Sequence, residues 1–167
     1  MALGARERYT SGMPRYVCPD PAATRALAAR LAQGLRGGEV LILEGDLGAG
    51  KTFFVQALAA ALDLDPAIAV TSPTFALVHE YPEARLPLLH ADLYRLGDPD
   101  ELIELGIEDR LDEGGWVLAV EWGEPFVEAL GGADLLLRLE TTGPEARALA
   151  VEPLSARGRA LVASLDR

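Results

Sequence analysis

Glu39-Val40-Leu41-Ile42-Leu43-Glu44-Gly45-Asp46-Leu47-Gly48-Ala49-Gly50-Lys51-Thr52 is the stretch on which the fold turns. Residues 39–44 form a short apolar run of strand length. Residues 45–52 match the glycine-rich phosphate-binding pattern G-x-x-x-x-G-K-[ST] at every defined position. From Thr52 to Leu62, the apolar residues Phe54, Leu58 and Leu62 recur at helical spacing. Strand, glycine loop, helix is the order phosphate binding requires: glycines let backbone N–H groups converge on phosphate oxygens, and the helix N-terminus adds its positive dipole end. The loop residues Asp46, Gly48, Ala49 and Gly50 are therefore candidate nucleotide contacts. Lys51 is expected to reach the β- and γ-phosphates as a compact charge, and Thr52 to place its hydroxyl on Mg²⁺.

Lys51 carries extra weight because it is the only lysine; the other 14 of the 15 basic residues are arginine. Where only charge is needed, this chain uses Arg. The lysine marks a place where a planar guanidinium would not serve.

A phosphate loop needs carboxylates for the metal and the attacking water. Val117-Leu118-Ala119-Val120-Glu121 is an apolar strand ending in an acid, and Leu88-Leu89-His90-Ala91-Asp92 is another. In a sheet where these strands neighbour residues 39–44, Glu121 and Asp92 emerge at the carboxyl edge beside the phosphates. The residues alone leave the metal and water roles of the two acids interchangeable.

Other elements organise around these. Asp20-Pro21 opens a helix with Leu27, Leu31 and Leu35 on its apolar face, stopped by Gly37-Gly38. Residues 68–71 read as a short strand. Residues 76–81 and 86–92 read as two antiparallel strands around a turn at 82–85, and Asp98-Pro99-Asp100-Glu101 as the capping box of another helix. Residues 135–140 and 146–151 suggest a hairpin across Gly143-Pro144, and Ser155 to Leu165 a closing helix. Residues 1–15 read as a flexible tail, and 16–167 as one α/β domain. Its fold is expected to be a P-loop NTPase-like mixed sheet, a parallel core with antiparallel additions, flanked by helices.

Composition excludes several classes. The 167 residues are 50% hydrophobic and 25% charged, a globular balance. No apolar run approaches the ~18 residues that cross a bilayer. No apolar segment follows Arg6 and Arg8 as a secretory signal requires, so a cytoplasmic location is expected. One cysteine, Cys18, allows no internal disulfide and no cysteine-built zinc site. There is no Asn, which removes N-glycosylation and the Asn-Lys-x-Asp guanine-reading signature. The net charge of −11 argues against strong direct binding of nucleic acid, DNA or RNA, since Lys and Arg supply most of that affinity.

These readings reach an Mg²⁺-dependent nucleoside triphosphatase or kinase. A small-molecule kinase needs an acceptor pocket and lid, for which the stretches between motifs leave little room. A nucleotide-dependent binding module with incidental hydrolysis is the other rival.

Resemblance goes further. The chain resembles the bacterial TsaE (YjeE) family from about Asp20 to Val151, through four blocks in order: residues 45–52, Thr71-Ser72-Pro73-Thr74-Phe75, His90-Ala91-Asp92-Leu93-Tyr94-Arg95-Leu96 and Val120-Glu121-Trp122. Only the first is generic to nucleotide-binding proteins. The resemblance implies an ATPase of tRNA threonylcarbamoyladenosine biosynthesis with ATP and Mg²⁺ as cofactors. It implies Thr52 and Glu121 as Mg²⁺ ligands, and Lys51, Glu121 and Asp92 as the residues of hydrolysis, Asp92 orienting the attacking water. It also implies residues 72–75, with Thr74, as a switch near the γ-phosphate, and Trp122 beside the nucleotide. The implied partners are TsaD and TsaB, which transfer the threonylcarbamoyl group and are reset by ATP hydrolysis.

Three positions depart from the family pattern: Phe53 where a second Thr is frequent, Ala91 for Phe, and Gly123 for Pro. At Phe53 the backbone N–H can still bind phosphate. Arg147 lies where the family often has basic residues near the nucleotide. His79 reads as a strand-surface residue, His90 as structural support for Asp92, and Cys18 as packing. Arg95 reads as a partner for a carboxylate or for another protein, with a lesser claim on the γ-phosphate.

Overall fold

The computed structural model describes the backbone of Arg6–Arg8 and residues 13–167. In chain order the elements are β1 (Arg6–Arg8), β2 (Pro14–Cys18), α1 (Pro21–Gly34), β3 (Val40–Glu44), α2 (Lys51–Ala61), β4 (Val78–Tyr81), β5 (Leu88–Asp92), α3 (Glu101–Glu104), α4 (Ile107–Glu113), β6 (Val117–Glu121), a 3-10 turn (Glu124–Phe126), β7 (Leu135–Thr141), β8 (Arg147–Pro153) and α5 (Ala156–Leu165).

The strands form one sheet in the order β1-β2-β8-β7-β3-β6-β5-β4. Its centre, β7-β3-β6-β5, is parallel. Antiparallel pairs extend it: β4 beyond β5, and β8, β2 and β1 beyond β7. This is the expected mixed sheet, with helices on both faces. Central strands are buried on both sides, so they read as unbroken apolar runs. Leu41, Leu43, Leu135 and Leu137 face the cluster that contains α1, α2 and α5. Val40, Ile42, Leu118 and Val120 face the smaller cluster of α3, α4 and the 3-10 turn.

Helix starts follow local chemistry. The Asp20 side chain accepts from Ala23 N–H at 2.8 Å, and Pro21 fills the first position, where no N–H is needed. Ser155 caps α5 through Gly158 N–H at 2.9 Å. Glu101 reaches back to Asp98 N–H at 3.0 Å, as its spacing predicts, but the helix it opens is one turn long. Gly106, at φ 68°, breaks the pattern, and α4 restarts it.

One expectation changes. Residues 68–71 form no strand. Ile68 and Val70 do turn alternate side chains to the core, but no ladder forms and the Val70 carbonyl accepts from the Gln56 side chain at 2.9 Å. Alternation here marks an extended segment pressed on the core without a strand to pair with. The tail expected over residues 1–15 contains Arg6–Arg8, which pairs with Pro14–Tyr16. The remainder of it before Met13 lies outside the described residues.

β3 is the topological switch. The chain leaves it toward β6, β5 and β4 on one side and returns as β7 and β8 on the other. In such sheets ligands bind outside the carboxyl ends of the strands at the switch, where the glycine loop lies.

Candidate active site

Three strand ends converge there. After β3 the loop 45–50 turns into α2. Gly48 and Gly50 take φ of 81° and 100°, left-handed values that glycine adopts without steric cost. At Gly45 a Cβ would lie 2.5 Å from the Leu139 carbonyl, so β7 approaches the loop too closely for any side chain.

Lys51 begins α2 and is buried. Its Nζ donates to the carbonyls of Gly45 (2.5 Å) and Asp46 (3.0 Å) and stands 4.2 Å from the Trp122 ring centroid. Burial lowers the ammonium pKa, while Glu121, Glu44, Asp92 and Asp46 pull it back up. Lys51 thus rests on loop carbonyls and an aromatic face, neither of which neutralises it.

Asp92 and Glu121 are register partners at the ends of β5 and β6. Both are buried and on the α2 side of the sheet. The Thr52 hydroxyl donates to Glu121 Oε1 at 2.7 Å. His90 Nε2 lies 3.4 Å from that oxygen; the ring is fully buried and neither nitrogen has a well-formed hydrogen bond. Burial pushes the Glu121 carboxyl up, but His90 and the Thr52 hydroxyl outweigh it, and the net direction is down. Asp92 accepts from the Ser72 hydroxyl (3.1 Å) and from Tyr94 N–H (3.0 Å).

Ser72 in turn meets the Thr74 hydroxyl at 3.2 Å, so the 72–75 segment is tied to Asp92. Its far end is fixed where Leu77, at φ 64°, accepts from Asp92 N–H at 3.0 Å. Trp122 also has a left-handed backbone (φ 58°), held by its N–H to the Leu43 carbonyl at 3.0 Å. Its ring packs on Tyr94 at 4.9 Å.

These groups enclose a cavity of about 350 Å³. Of the residues expected from sequence, Gly48, Gly50, Lys51, Thr52, Phe53, Thr74, Asp92, Glu121 and Trp122 line it. Asp46 is exposed on the loop and contributes its carbonyl, and Ala49 turns inward to the core. Arg147 approaches from β8 on the opposite side. Its guanidinium donates to Ala49 O (2.9 Å), Gly48 O (3.4 Å), Gly143 O (3.2 Å) and Ala146 O (2.8 Å). With Phe53, Pro21 and Thr24 it walls a second hollow of about 310 Å³ continuous with the loop.

Tyr94 and Glu44 were not among the site residues expected from sequence. For Tyr94 a signal existed: an Asp accepting from the N–H two residues on is an Asx turn, which reads from Asp92. Glu44 has no motif. Burial raises its pKa, and Glu124 N–H donates to it at 2.8 Å. Arg95 lies over the exposed Phe75 ring at 5.2 Å. His79 is half-buried against Tyr81, and Cys18 is buried, its thiol pKa raised by that burial.

A buried hydroxyl bonded to a buried carboxylate, beside a glycine loop and a second carboxylate, suits a hard cation that also takes phosphate oxygens. Two protein ligands are few, as is usual for Mg²⁺, which keeps waters and substrate oxygens.

The family model for "Threonylcarbamoyl adenosine biosynthesis protein TsaE" matches residues 18–149. The protein of that name from Bacillus subtilis is 36% identical over 148 residues, 89% of this chain and 90% of its own. That from Nostoc is 42% identical over 115 residues, covering 67% and 69%. That from Aquifex aeolicus is 50% identical over 101 residues, covering 60% and 70%. Among solved structures, YdiB of Bacillus subtilis superposes with a TM-score of 0.74 at 27% identity, over 100% of this chain and 98% of that one. Fold, motif order and these similarities agree, and the chain belongs to the TsaE family.

Proposed function

We propose that the protein is a Mg²⁺-dependent ATPase that acts in making N6-threonylcarbamoyladenosine at position 37 of tRNAs reading codons that begin with A. In this reading it binds the TsaD–TsaB transfer complex and resets it between turnovers. The observation that carries the enzymatic part is the Thr52–Glu121 hydrogen bond of 2.7 Å beside Asp92 at the glycine loop.

The residues fit the nucleotide and its metal. Loop N–H groups and Lys51 would hold the β- and γ-phosphates, and Thr52 and Glu121 the Mg²⁺, which supplies charge stabilisation to the transferring phosphoryl group. Asp92, fixed by Ser72 and Tyr94, would orient the water. The hollow walled by Phe53, Pro21 and Arg147 would take the base.

Hydrolysis by the chain alone should be slow. Arg147 is committed to loop carbonyls, and Arg95, at the edge of the cavity, lies over the exposed Phe75 ring with no hydrogen bond among the described residues holding it toward the glycine loop. An arginine supplied at the γ-phosphate is worth about 10³–10⁵ in rate. Partner proteins would supply that stabilisation.

The test is multi-turnover tRNA threonylcarbamoylation by TsaD and TsaB, with and without this chain, following ATP loss in parallel. Stimulation by wild type, but not by Lys51→Ala or Asp92→Ala, is the expected result. No stimulation and no ATP loss above background would return the chain to the kinase alternative.

A further inference from the structure

On the face of the sheet away from α2, the α3–α4 pair and residues 128–131 enclose a groove of about 480 Å³. Its lining shares no residue with the glycine-loop cavity. The floor is apolar: Leu102, Ile107 and Leu130 are buried core side chains, Leu111 is half-buried, and Ile103 stands 71% exposed. A large aliphatic side chain that exposed gains nothing from the fold itself.

The rim is acidic. Asp100, Glu108, Asp112 and Glu128 line it, and no Lys or Arg does. Among the described residues none of these four carboxylates has an ion-pair partner. The nearby Arg110 is turned away, bonded to Glu80 and Glu113 and lying over Trp116 at 5.5 Å. Glu108 and Asp112 are one helical turn apart, so like charges are stacked on the groove side of α4, an arrangement that costs stability in isolation.

We propose that this groove receives a segment of a protein partner in which apolar side chains are flanked by arginines or lysines. Apolar anchors would cover Ile103 and Leu111, and the cations would meet the four carboxylates. Such complementarity steers encounter and fixes register. The proposal rests on the reading that the chain works within a protein complex, and it adds a docking point remote from the nucleotide.

The experiment titrates the full chain against the TsaD–TsaB pair by calorimetry at low and high salt. It compares wild type, the double variant Glu108→Lys/Asp112→Lys, and Ile103→Ser. All three positions are exposed, and binding of a fluorescent ATP analogue serves as the folding control. The double variant is expected to bind the pair about tenfold more weakly or worse at low salt, with the gap shrinking at high salt. Ile103→Ser should weaken binding about threefold or more at both. Variants that bind the pair like wild type overturn the groove and leave the function intact. If wild type itself does not bind the pair, the functional reading fails and a synthetic Leu/Arg peptide of helical spacing decides the groove. Amide shifts at Ile103, Leu111 and Gly131 in wild type but not in the double variant would uphold it; their absence would overturn it.

Discussion

The Thr52 hydroxyl and the Glu121 carboxylate are 2.7 Å apart although 69 residues separate them, and their bond ties the first turn of α2 to the end of β6. If that pair holds the metal, Glu121→Gln keeps the hydrogen bond and loses the charge. ATP turnover should fall about 100-fold or more, because several kcal/mol of Lewis-acid stabilisation depends on it. The chain should stay folded, with a melting temperature modestly lower at neutral pH, where the charged carboxylate stabilises the fold. Turnover unchanged at limiting Mg²⁺ would contradict the assignment.

Lys51 rests on two carbonyls and the Trp122 ring. Lys51→Ala should weaken nucleotide binding about 100-fold, the scale of a charge-assisted hydrogen bond, while leaving the chain folded. Lys51→Arg should not rescue it, since a guanidinium cannot occupy the space between loop and ring. Phosphate capture must draw the ammonium off Trp122, so Trp122 emission should change on adding Mg²⁺ and ATP. The change should persist in Trp116→Phe and vanish in Trp122→Phe.

Two site carboxylates should give opposite pH signatures. Glu121 has its pKa lowered on folding, so its contribution is present above the unfolded value of about 4.3 and is lost as pH falls through the folded value. Glu44 has its pKa raised, chiefly by burial, so its charged form costs stability above the folded value and the cost disappears as it protonates. Glu44→Gln should therefore raise the melting temperature at pH 7 and not at pH below about 4. Glu121→Gln should flatten the acid limb of the stability curve. A Glu44→Gln gain that persists at low pH would show that its origin is not electrostatic.

Arg147 fastens the β7–β8 hairpin to the glycine loop through Ala49 and Gly48. Arg147→Ala should weaken ATP binding about tenfold and speed amide exchange at Gly48 and Gly50. Arg147→Lys should behave like Ala, because one ammonium cannot span the carbonyls of Ala49, Gly48, Gly143 and Ala146 that the planar guanidinium fork reaches along its edges. Normal exchange at the loop in the Ala variant would argue against a fastening role.

Gly158, in α5, has no room for a Cβ, which would strike the Asp134 carbonyl. Gly158→Ala should cost roughly 3 kcal/mol, the upper range for overpacking, and lower the melting temperature by about 6–12 °C. Nucleotide affinity measured well below that temperature should not change. A melt equal to wild type would mean that α5 can shift off β7.

Much of the site was legible because its chemistry is local to short motifs. Glycine spacing, the single lysine and two strand-terminal acids all reflect needs of the immediate backbone. Residues 68–71 misled because alternation reports which side chains are buried and not whether a ladder exists. The short α3 was hidden for the complementary reason: its capping signal is genuine, but Gly106 ends the helical run that signal opens. Glu44 was unreadable because its shifted acidity comes from burial and from the Glu124 amide, 80 positions along the chain.

Asp92 and Glu121 stand opposite each other on neighbouring parallel strands, and side chains along a strand alternate between faces. Apart from His90, which shares the acids' face and lies against Glu121, identity at the positions between each acid and its strand's start can therefore drift among apolar residues without disturbing the pair. Count cannot. Inserting or deleting one residue within β5 or β6 would invert the parity of that strand and send one carboxylate to the α3–α4 side while its mate stayed put. A two-residue change would restore the face but displace the acid by about 6.6 Å along the strand. The pair is kept together by arithmetic on the chain more than by any contact it makes.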